Sequence, residues 1–188
     1  MQHISALTFA AFVLSATSVS AACPAAPDHS AELSALFEQA RQAETESEAR
    51  ELASQMWTLW TDAPDEVAQA MLDRGMTRRK SYDFLGALQD LNKLVAYCPH
   101  YAEAYNQRAF VNFLRQDFAV ALVDLNKAIE ISPDHVAALS GKALTLLGLG
   151  RHDEARDALQ KALSLNPWLP ERSLANPGGP LAPKGEDI

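Results

Sequence analysis

The sequence has few residues that interrupt helices and no segment typical of a β-strand. Only 8 of its 188 residues are glycine and 10 are proline, and both are concentrated near the C-terminal end. No run of alternating Val, Ile, Thr and aromatic residues is long enough to predict a strand. Alanine and leucine, which favour helix, are abundant. The composition therefore predicts an all-α protein.

The chain also has fewer basic than acidic residues. The chain has 16 Lys and Arg against 24 Asp and Glu, which gives a net charge of −8 at pH 7. A surface that binds nucleic acid normally carries a basic stripe, so we expect no nucleic-acid partner. The length is sufficient for one ordinary domain.

The N-terminal segment differs from the rest of the chain. Residues 4–22 contain no charged side chain, and their apolar centre extends from Leu7 to Leu14. This run is too short to cross a bilayer, and small residues follow it, as at a signal-peptidase site. We therefore predict a signal peptide over residues 1–22, a mature chain that begins at Ala22 or Cys23, and a periplasmic or secreted protein without a membrane span. A buried N-terminal helix is the alternative interpretation.

The sequence contains two cysteines, Cys23 and Cys98. Ser20 stands where a lipid-attachment box needs a branched aliphatic residue, so we do not expect a lipid anchor at Cys23. Two cysteines in an exported protein are able to form a disulfide, but the sequence leaves this pairing open. Because stacked helices give a continuous core, we expect both cysteines to be dispensable for folding.

Three prolines recur at an interval of 34 residues, at Pro99, Pro133 and Pro167. The same interval aligns three blocks, which we call units 1, 2 and 3: 68–101, 102–135 and 136–169. Small residues recur at the eighth and twentieth positions of the units, and leucine recurs at the twenty-fourth. In chain order within each column these are Gly75, Ala109, Ala143; Ala87, Ala121, Ala155; Leu91, Leu125, Leu159. Such a period identifies a repeat protein.

Each of these columns has a physical reason. Two helices cross closely only where a side chain is small, and the leucine fills the space between them. Proline ends the second helix of a unit because it lacks the N–H that an interior position requires. A single unit leaves an apolar face uncovered, so we expect the units to stack on one another.

The units resemble the tetratricopeptide repeat (TPR) family. The second unit, AEAYNQRAFVNFLRQDFAVALVDLNKAIEISP, is closest to the family pattern, with Tyr105 at its fourth position and Phe118 at its seventeenth. The resemblance implies an all-α solenoid of stacked antiparallel helix pairs. It also implies that the protein binds other proteins.

The segments on either side of the units are less regular. Residues 30–67 are interpreted as a degenerate helix pair that caps the N-terminal end of unit 1, although Arg41 occupies the small eighth column and Trp60 the twenty-seventh, which is alanine in units 2 and 3. Trp57 and Trp60 are expected to pack under unit 1, with a binding patch as the alternative. Residues 170–188 are predicted to form a short C-terminal cap and a Pro/Gly-rich disordered tail.

No motif in the sequence points to catalysis. There is no nucleophile elbow, phosphate-binding glycine loop or zinc-protease motif. Cys98 and His100 lie together at a unit junction, but a structural zinc requires four ligands. We therefore expect a protein that is not an enzyme and that has no cofactor and no bound metal.

The TPR resemblance implies that the first helix of each unit lines a concave groove, through its second, fifth, ninth, twelfth and thirteenth positions. In chain order these are Gln69, Leu72, Met76, Arg79, Lys80; Glu103, Asn106, Phe110, Phe113, Leu114; Ala137, Ser140, Leu144, Leu147, Gly148. From them we predict a partner-binding strip, basic at one end and apolar in the middle, formed by Arg79, Lys80, Asn106, Phe110 and Phe113. The alternative is that the two phenylalanines only pack within the superhelix.

Some TPR proteins clamp a C-terminal carboxylate with Lys and Asn at the fifth and ninth positions of one unit. Leu72 and Met76 occupy these positions in unit 1, so the resemblance does not extend to that activity. We expect a scaffold that binds a peptide or helix of another envelope protein. The alternatives are a permanent accessory subunit docked by its convex or end faces, and an unrecognised enzyme.

Overall fold

The computed structural model describes residues 22–183. The predicted signal peptide lies outside the described residues apart from Ala22, and so do residues 184–188 of the predicted tail. The α-helices of the described part pack in consecutive pairs: α1 (Ser30–Gln42) with α2 (Glu46–Trp60), α3 (Glu66–Lys80) with α4 (Phe84–Tyr97), α5 (Ala102–Leu114) with α6 (Phe118–Ile131), and α7 (Val136–Gly148) with α8 (His152–Leu165). A 3-10 turn follows at Pro170–Ala175. The prediction of an all-α solenoid of helix pairs is confirmed.

Local chemistry defines where these helices begin. The Asp65 side chain accepts a hydrogen bond from the Ala68 N–H at 2.8 Å, and the Asp83 side chain accepts one from the Gly86 N–H at 2.9 Å. Both are N-caps, which satisfy backbone donors that a helix leaves without an internal partner. The bonds from Ala68 and from the Tyr97 hydroxyl, in that order, lower the pKa of the Asp65 carboxyl.

The turn inside each unit uses the same backbone conformation. Tyr82, Gln116 and Gly150 each occupy the fifteenth position of their unit, and their φ angles are 63°, 64° and 72°. This left-handed region is unstrained only for glycine. The repeat therefore preserves the turn geometry even where units 1 and 2 have a side chain that disfavours it.

The predicted small columns lie where the helices of a unit cross. Ala87, Ala121 and Ala155 are fully buried, and the leucines of the twenty-fourth position are buried with them. A Cβ atom on Gly75 would lie 2.8 Å from Leu91 Cγ, which is closer than two carbon atoms approach. The small residues are therefore required by the helix spacing.

The N-terminal helix pair does not stack on unit 1, which corrects the predicted cap at residues 30–67. We call α1 and α2 the hairpin. Its core contains Leu36, Phe37 and Met56, and from the units it includes Val136, with Leu165 and Leu169 packed against it. None of these contacts comes from α3 or α4. The hairpin therefore packs against unit 3.

The hairpin does not stack on unit 1 because two of its residues, Arg41 and Trp60, depart from the repeat pattern. A pair that stacks as a unit needs a small residue at the eighth position, where the two helices cross, but Arg41 stands there. Trp60 instead stacks on the His135 ring, with the ring centroids 4.6 Å apart and the planes inclined by 12°. At the far end of the hairpin, Arg41 donates to the Ser164 carbonyl at 3.4 Å. Trp60 is therefore not packed under unit 1.

The two cysteines form a disulfide. Cys23 and Cys98 are bonded, and the bond joins residues separated by 75 positions. Cys98 ends α4, so the bond attaches the segment before the hairpin to the junction of units 1 and 2. Nearby, the Tyr101 hydroxyl donates to the Trp60 carbonyl at 2.8 Å. Both ends of the hairpin are thus fixed to the same junction.

The C-terminal segment is ordered as far as Pro183, so the prediction of a disordered tail is wrong for residues 176–183. Leu181 is fully buried against the core of unit 3, which includes Leu146 and Leu159. Its N–H donates to the Leu174 carbonyl at 2.9 Å. A Pro/Gly-rich segment has no apolar period, but one leucine is enough to anchor it when a cavity in the neighbouring unit accepts the side chain.

Within residues 22–183, the helices are too short or too polar to cross a membrane.

Candidate binding groove

The first helices of units 2 and 3, α5 and α7, lie side by side and line a pocket of about 290 Å³. We call it the inner pocket. Leu125 of α6, Trp57 of the hairpin and residues 169–171 complete the lining. The pocket is therefore formed by three parts of the chain that are distant in sequence.

The walls of the inner pocket are mainly apolar. Phe110 and Phe113 extend from α5 and Leu144 from α7, opposite Trp57 and Leu169. Phe110 is 40% exposed, which is unusual for a phenylalanine beside a core. An exposed aromatic side chain inside a concave apolar site is typical of a surface that binds a partner.

The structure brings together three of the five predicted site residues. Asn106, Phe110 and Phe113 line the inner pocket. Arg79 does not line it, but its guanidinium carbon lies 4.3 Å from the centroid of the Phe110 ring. Lys80 is exposed and lies outside the lining.

Arg79 is held at the border of the pocket by its contact with Phe110. Desolvation lowers the pKa of its guanidinium, while the charge of Glu103 raises it. The group nevertheless stays charged, because arginine does not deprotonate in proteins. The pocket thus has a permanent positive charge stacked on the edge of its apolar wall.

A buried carboxylate fixes α5 relative to α7. Glu103 accepts hydrogen bonds from Asn106 Nδ2 at 3.0 Å and from Gln107 Nε2 at 2.5 Å. His135 Nε2 lies 2.8 Å from Glu103 Oε2, and both side chains are buried. Since His135 Nδ1 accepts from the Ala138 N–H, the proton lies on Nε2 and is donated to Glu103.

Sequence reasoning did not single out several residues of this site. Gln107 and Thr145 line the pocket from the sixth position of unit 2 and the tenth of unit 3, which lie outside the columns implied by the resemblance. Ser140 and Leu144 fall within those columns and were not chosen. Trp57 lies in the pocket lining and not under unit 1, where the sequence analysis places it with a binding patch as the alternative, because the hairpin docks on unit 3.

A second cavity, of about 390 Å³, lies where the hairpin meets the starts of α5 and α7. Its lining is more polar and includes His29, whose Nε2 lies 2.8 Å from Asp62 Oδ2. Glu103 and His135 also line it, but they bond to each other. Among residues 22–183, no group of three or more His, Cys, Asp or Glu side chains is placed to hold a metal ion.

Comparisons with known proteins agree with this architecture. Residues 100–167 match the family model described as tetratricopeptide repeat. The first TPR domain of Spaghetti (RPAP3) bound to the HSP90 peptide SRMEEVD is 24% identical, with a TM-score of 0.55 over 56% of this chain and 84% of that one. The Arabidopsis OM64 TPR domain is 24% identical, with a TM-score of 0.57 over 58% and 91% of the two chains.

A third similar structure is the TPR2B domain of yeast Sti1 in a complex with pHsp70. It is 26% identical, with a TM-score of 0.51 over 52% of this chain and 78% of that one. No curated protein sequence matches significantly. The family match covers unit 2 and most of unit 3, and the same helix-pair geometry continues into unit 1, so units 1 to 3 have the fold of tetratricopeptide repeats.

Proposed function

We propose that this chain is an exported protein-binding scaffold whose inner pocket holds an apolar segment of another envelope protein, without catalysis. The observation that supports the proposal is the combination of a half-exposed phenylalanine, Phe110, with the Arg79 charge stacked on it. An apolar floor with a positive border fits a partner segment that has apolar anchors flanked by acidic residues. N-terminal sequencing of the exported protein tests the export step, and a chain that still begins at Met1 would contradict it.

The pocket does not suit a carboxylate clamp of the kind considered above. Leu72 has an apolar side chain and is fully buried in the core of unit 1, so this position contributes no polar group that could bind a peptide terminus. Asn106 is already bonded to Glu103 through its amide nitrogen. The proposed interaction therefore depends on apolar anchors and flanking charge.

The decisive experiment compares two truncations on the same helix. Affinity capture from a periplasmic fraction, with mass spectrometry, supplies the partner, and calorimetry measures its affinity for each variant. Phe110→Ala is expected to weaken binding by more than about 1 kcal/mol, because truncating a central apolar anchor often does so. Leu114→Ala is the matched control, because Leu114 is also 40% exposed but lies outside the pocket lining.

The contribution of the Arg79 charge is tested by a second matched pair of variants, Arg79→Glu and Lys80→Glu. Arg79→Glu is expected to weaken binding and to reduce its dependence on salt, because a screened attraction to acidic residues is lost. Lys80→Glu changes the net charge equally at an exposed site outside the lining, so its effect should be smaller. Equal affinities of wild type, Phe110→Ala and Arg79→Glu, all with native helicity, would show that the inner pocket is not the site.

One observation favours the alternative of an accessory subunit docked by its outer face. Leu85 of α4 and Val123 of α6 are both more than half exposed on the second helices of their units. If Phe110→Ala and Arg79→Glu leave capture of the partner unchanged, we expect Leu85→Asp and Val123→Asp to abolish that capture.

A further inference from the structure

The inner pocket contains two buried polar atoms that nothing within residues 22–183 satisfies. They are the Gln107 Oε1 and the Thr145 Oγ1. Both residues line the pocket, and their exposed fractions are 1% and 0%. Leaving a buried polar group without a hydrogen bond is unfavourable, so native proteins rarely do it without a reason.

The orientation of Gln107 follows from its neighbour. Its Nε2 donates to Glu103 Oε1, and a carboxylate oxygen only accepts hydrogen bonds. The amide nitrogen must therefore face Glu103, which leaves Oε1 as the free end of the side chain. Glu103 is itself held by Asn106 and His135, so this orientation is fixed from three sides.

Thr145 is unusual for a different reason. A threonine inside a helix commonly donates its hydroxyl proton to a backbone carbonyl one turn earlier. Thr145 makes no such bond, although it is fully buried in the last turn of α7. Its hydroxyl therefore neither donates nor accepts a hydrogen bond among residues 22–183.

We infer that the inner pocket selects an aromatic anchor that carries a hydrogen-bond donor, namely a tyrosine or tryptophan side chain of the bound segment. The aromatic body would fill the space between Phe110, Leu144 and Trp57, and its O–H or N–H would donate to Gln107 Oε1 or to Thr145 Oγ1. Phenylalanine and leucine fit the same apolar walls but leave both polar atoms unsatisfied. This inference rests on the proposed function of the same pocket, and it identifies the type of side chain that the pocket binds.

The test uses the full mature chain with its disulfide intact and three small probes: N-acetyl-tyrosinamide, N-acetyl-tryptophanamide and N-acetyl-phenylalaninamide. Nuclear magnetic resonance titrations follow the side-chain amide of Gln107 and the backbone signals of α5 and α7. We expect the tyrosine or tryptophan probe to bind about tenfold more tightly than the phenylalanine probe, because only the former satisfy a buried acceptor.

Thr145→Val separates a binding role from a structural one. Valine has nearly the same shape without the hydroxyl, so the variant should unfold at an equal or higher temperature. The ratio of its affinities for the tyrosine and phenylalanine probes should decrease. Thr77→Val is the matched control, because Thr77 is the exposed residue at the tenth position of unit 1 and should alter neither property. Gln107→Leu is the second variant and should reduce the preference further.

The possible failures are distinguishable. Equal affinities for the three probes, or an unchanged preference in Thr145→Val and Gln107→Leu, would overturn the inference and leave the groove as a binding site for apolar segments in general. Absence of any probe-induced shift in α5 and α7 would also overturn it. The proposed function of the pocket fails in a separate experiment, if both Phe110→Ala and Arg79→Glu capture the natural partner at wild-type affinity.

Discussion

The variant Ala121→Leu is expected to unfold at a much lower urea concentration than the wild type. Ala121 has no exposed surface and lies in the core with Tyr105, Ala109 and Leu125, where α5 crosses α6. Three further carbon atoms would force the two helices apart, and overpacking of this kind costs about 1–3 kcal/mol and occasionally more. The same displacement should also disturb the groove, because α5 carries Asn106, Phe110 and Phe113.

Ala119→Leu is the control for this prediction. Ala119 lies two residues earlier on α6 and is exposed, so the same substitution there adds no buried volume. Urea unfolding followed by circular dichroism gives the midpoint of each variant. Equal midpoints would mean that the twentieth position of the unit is not the crossing point.

Removal of the Cys23–Cys98 bond is the second change expected to have a large effect. The sequence alone suggested that both cysteines are dispensable, but the bond closes a loop across 75 positions and anchors the start of the hairpin. A disulfide restricts the unfolded chain more when its loop is long, and the usual contribution is roughly 2–4 kcal/mol. We therefore expect the double variant Cys23→Ala, Cys98→Ala to lose stability of that order.

Chemical reduction of the wild-type protein provides the matched measurement, because it breaks the bond while both sulfur atoms remain. Cys98 is buried, so the alanine variant also loses some packing, and the reduced wild type isolates the loop effect. If the oxidised and reduced proteins unfold at the same denaturant concentration, the original expectation of dispensable cysteines is restored.

The stacking of units 1 to 3 was predictable from the sequence because its determinants are local and repeated. The alanine and leucine columns form contacts within one unit or between neighbouring units, and these contacts recur in every unit. The same interval separates Pro99, Pro133 and Pro167. The docking of the hairpin is different, since it depends on a pairing between Trp60 and His135 that occurs once. A contact that is made once leaves no period to detect.

The candidate site was predictable only in part, for the same reason. Asn106, Phe110 and Phe113 follow from the family columns, and Arg79 reaches the site through Phe110. Lys80 does not, because the last turn of α3 directs it to solvent. The roles of Gln107 and Thr145 depend on which buried polar atoms lack a hydrogen-bond partner, and this follows from the three-dimensional packing and not from the sequence.

The contact between α1 and α8 changes how the array as a whole should respond to stress. In an open solenoid each unit touches only its neighbours, and the terminal units fray first. Here the first helix of the described chain packs against the last α-helix, and the Cys23–Cys98 bond fixes the segment before α1 to the junction of units 1 and 2. Unit 3 thus has helix neighbours on two sides, unit 2 and the hairpin, so its opening requires the loss of both sets of contacts and it should not fray as a free terminal unit does.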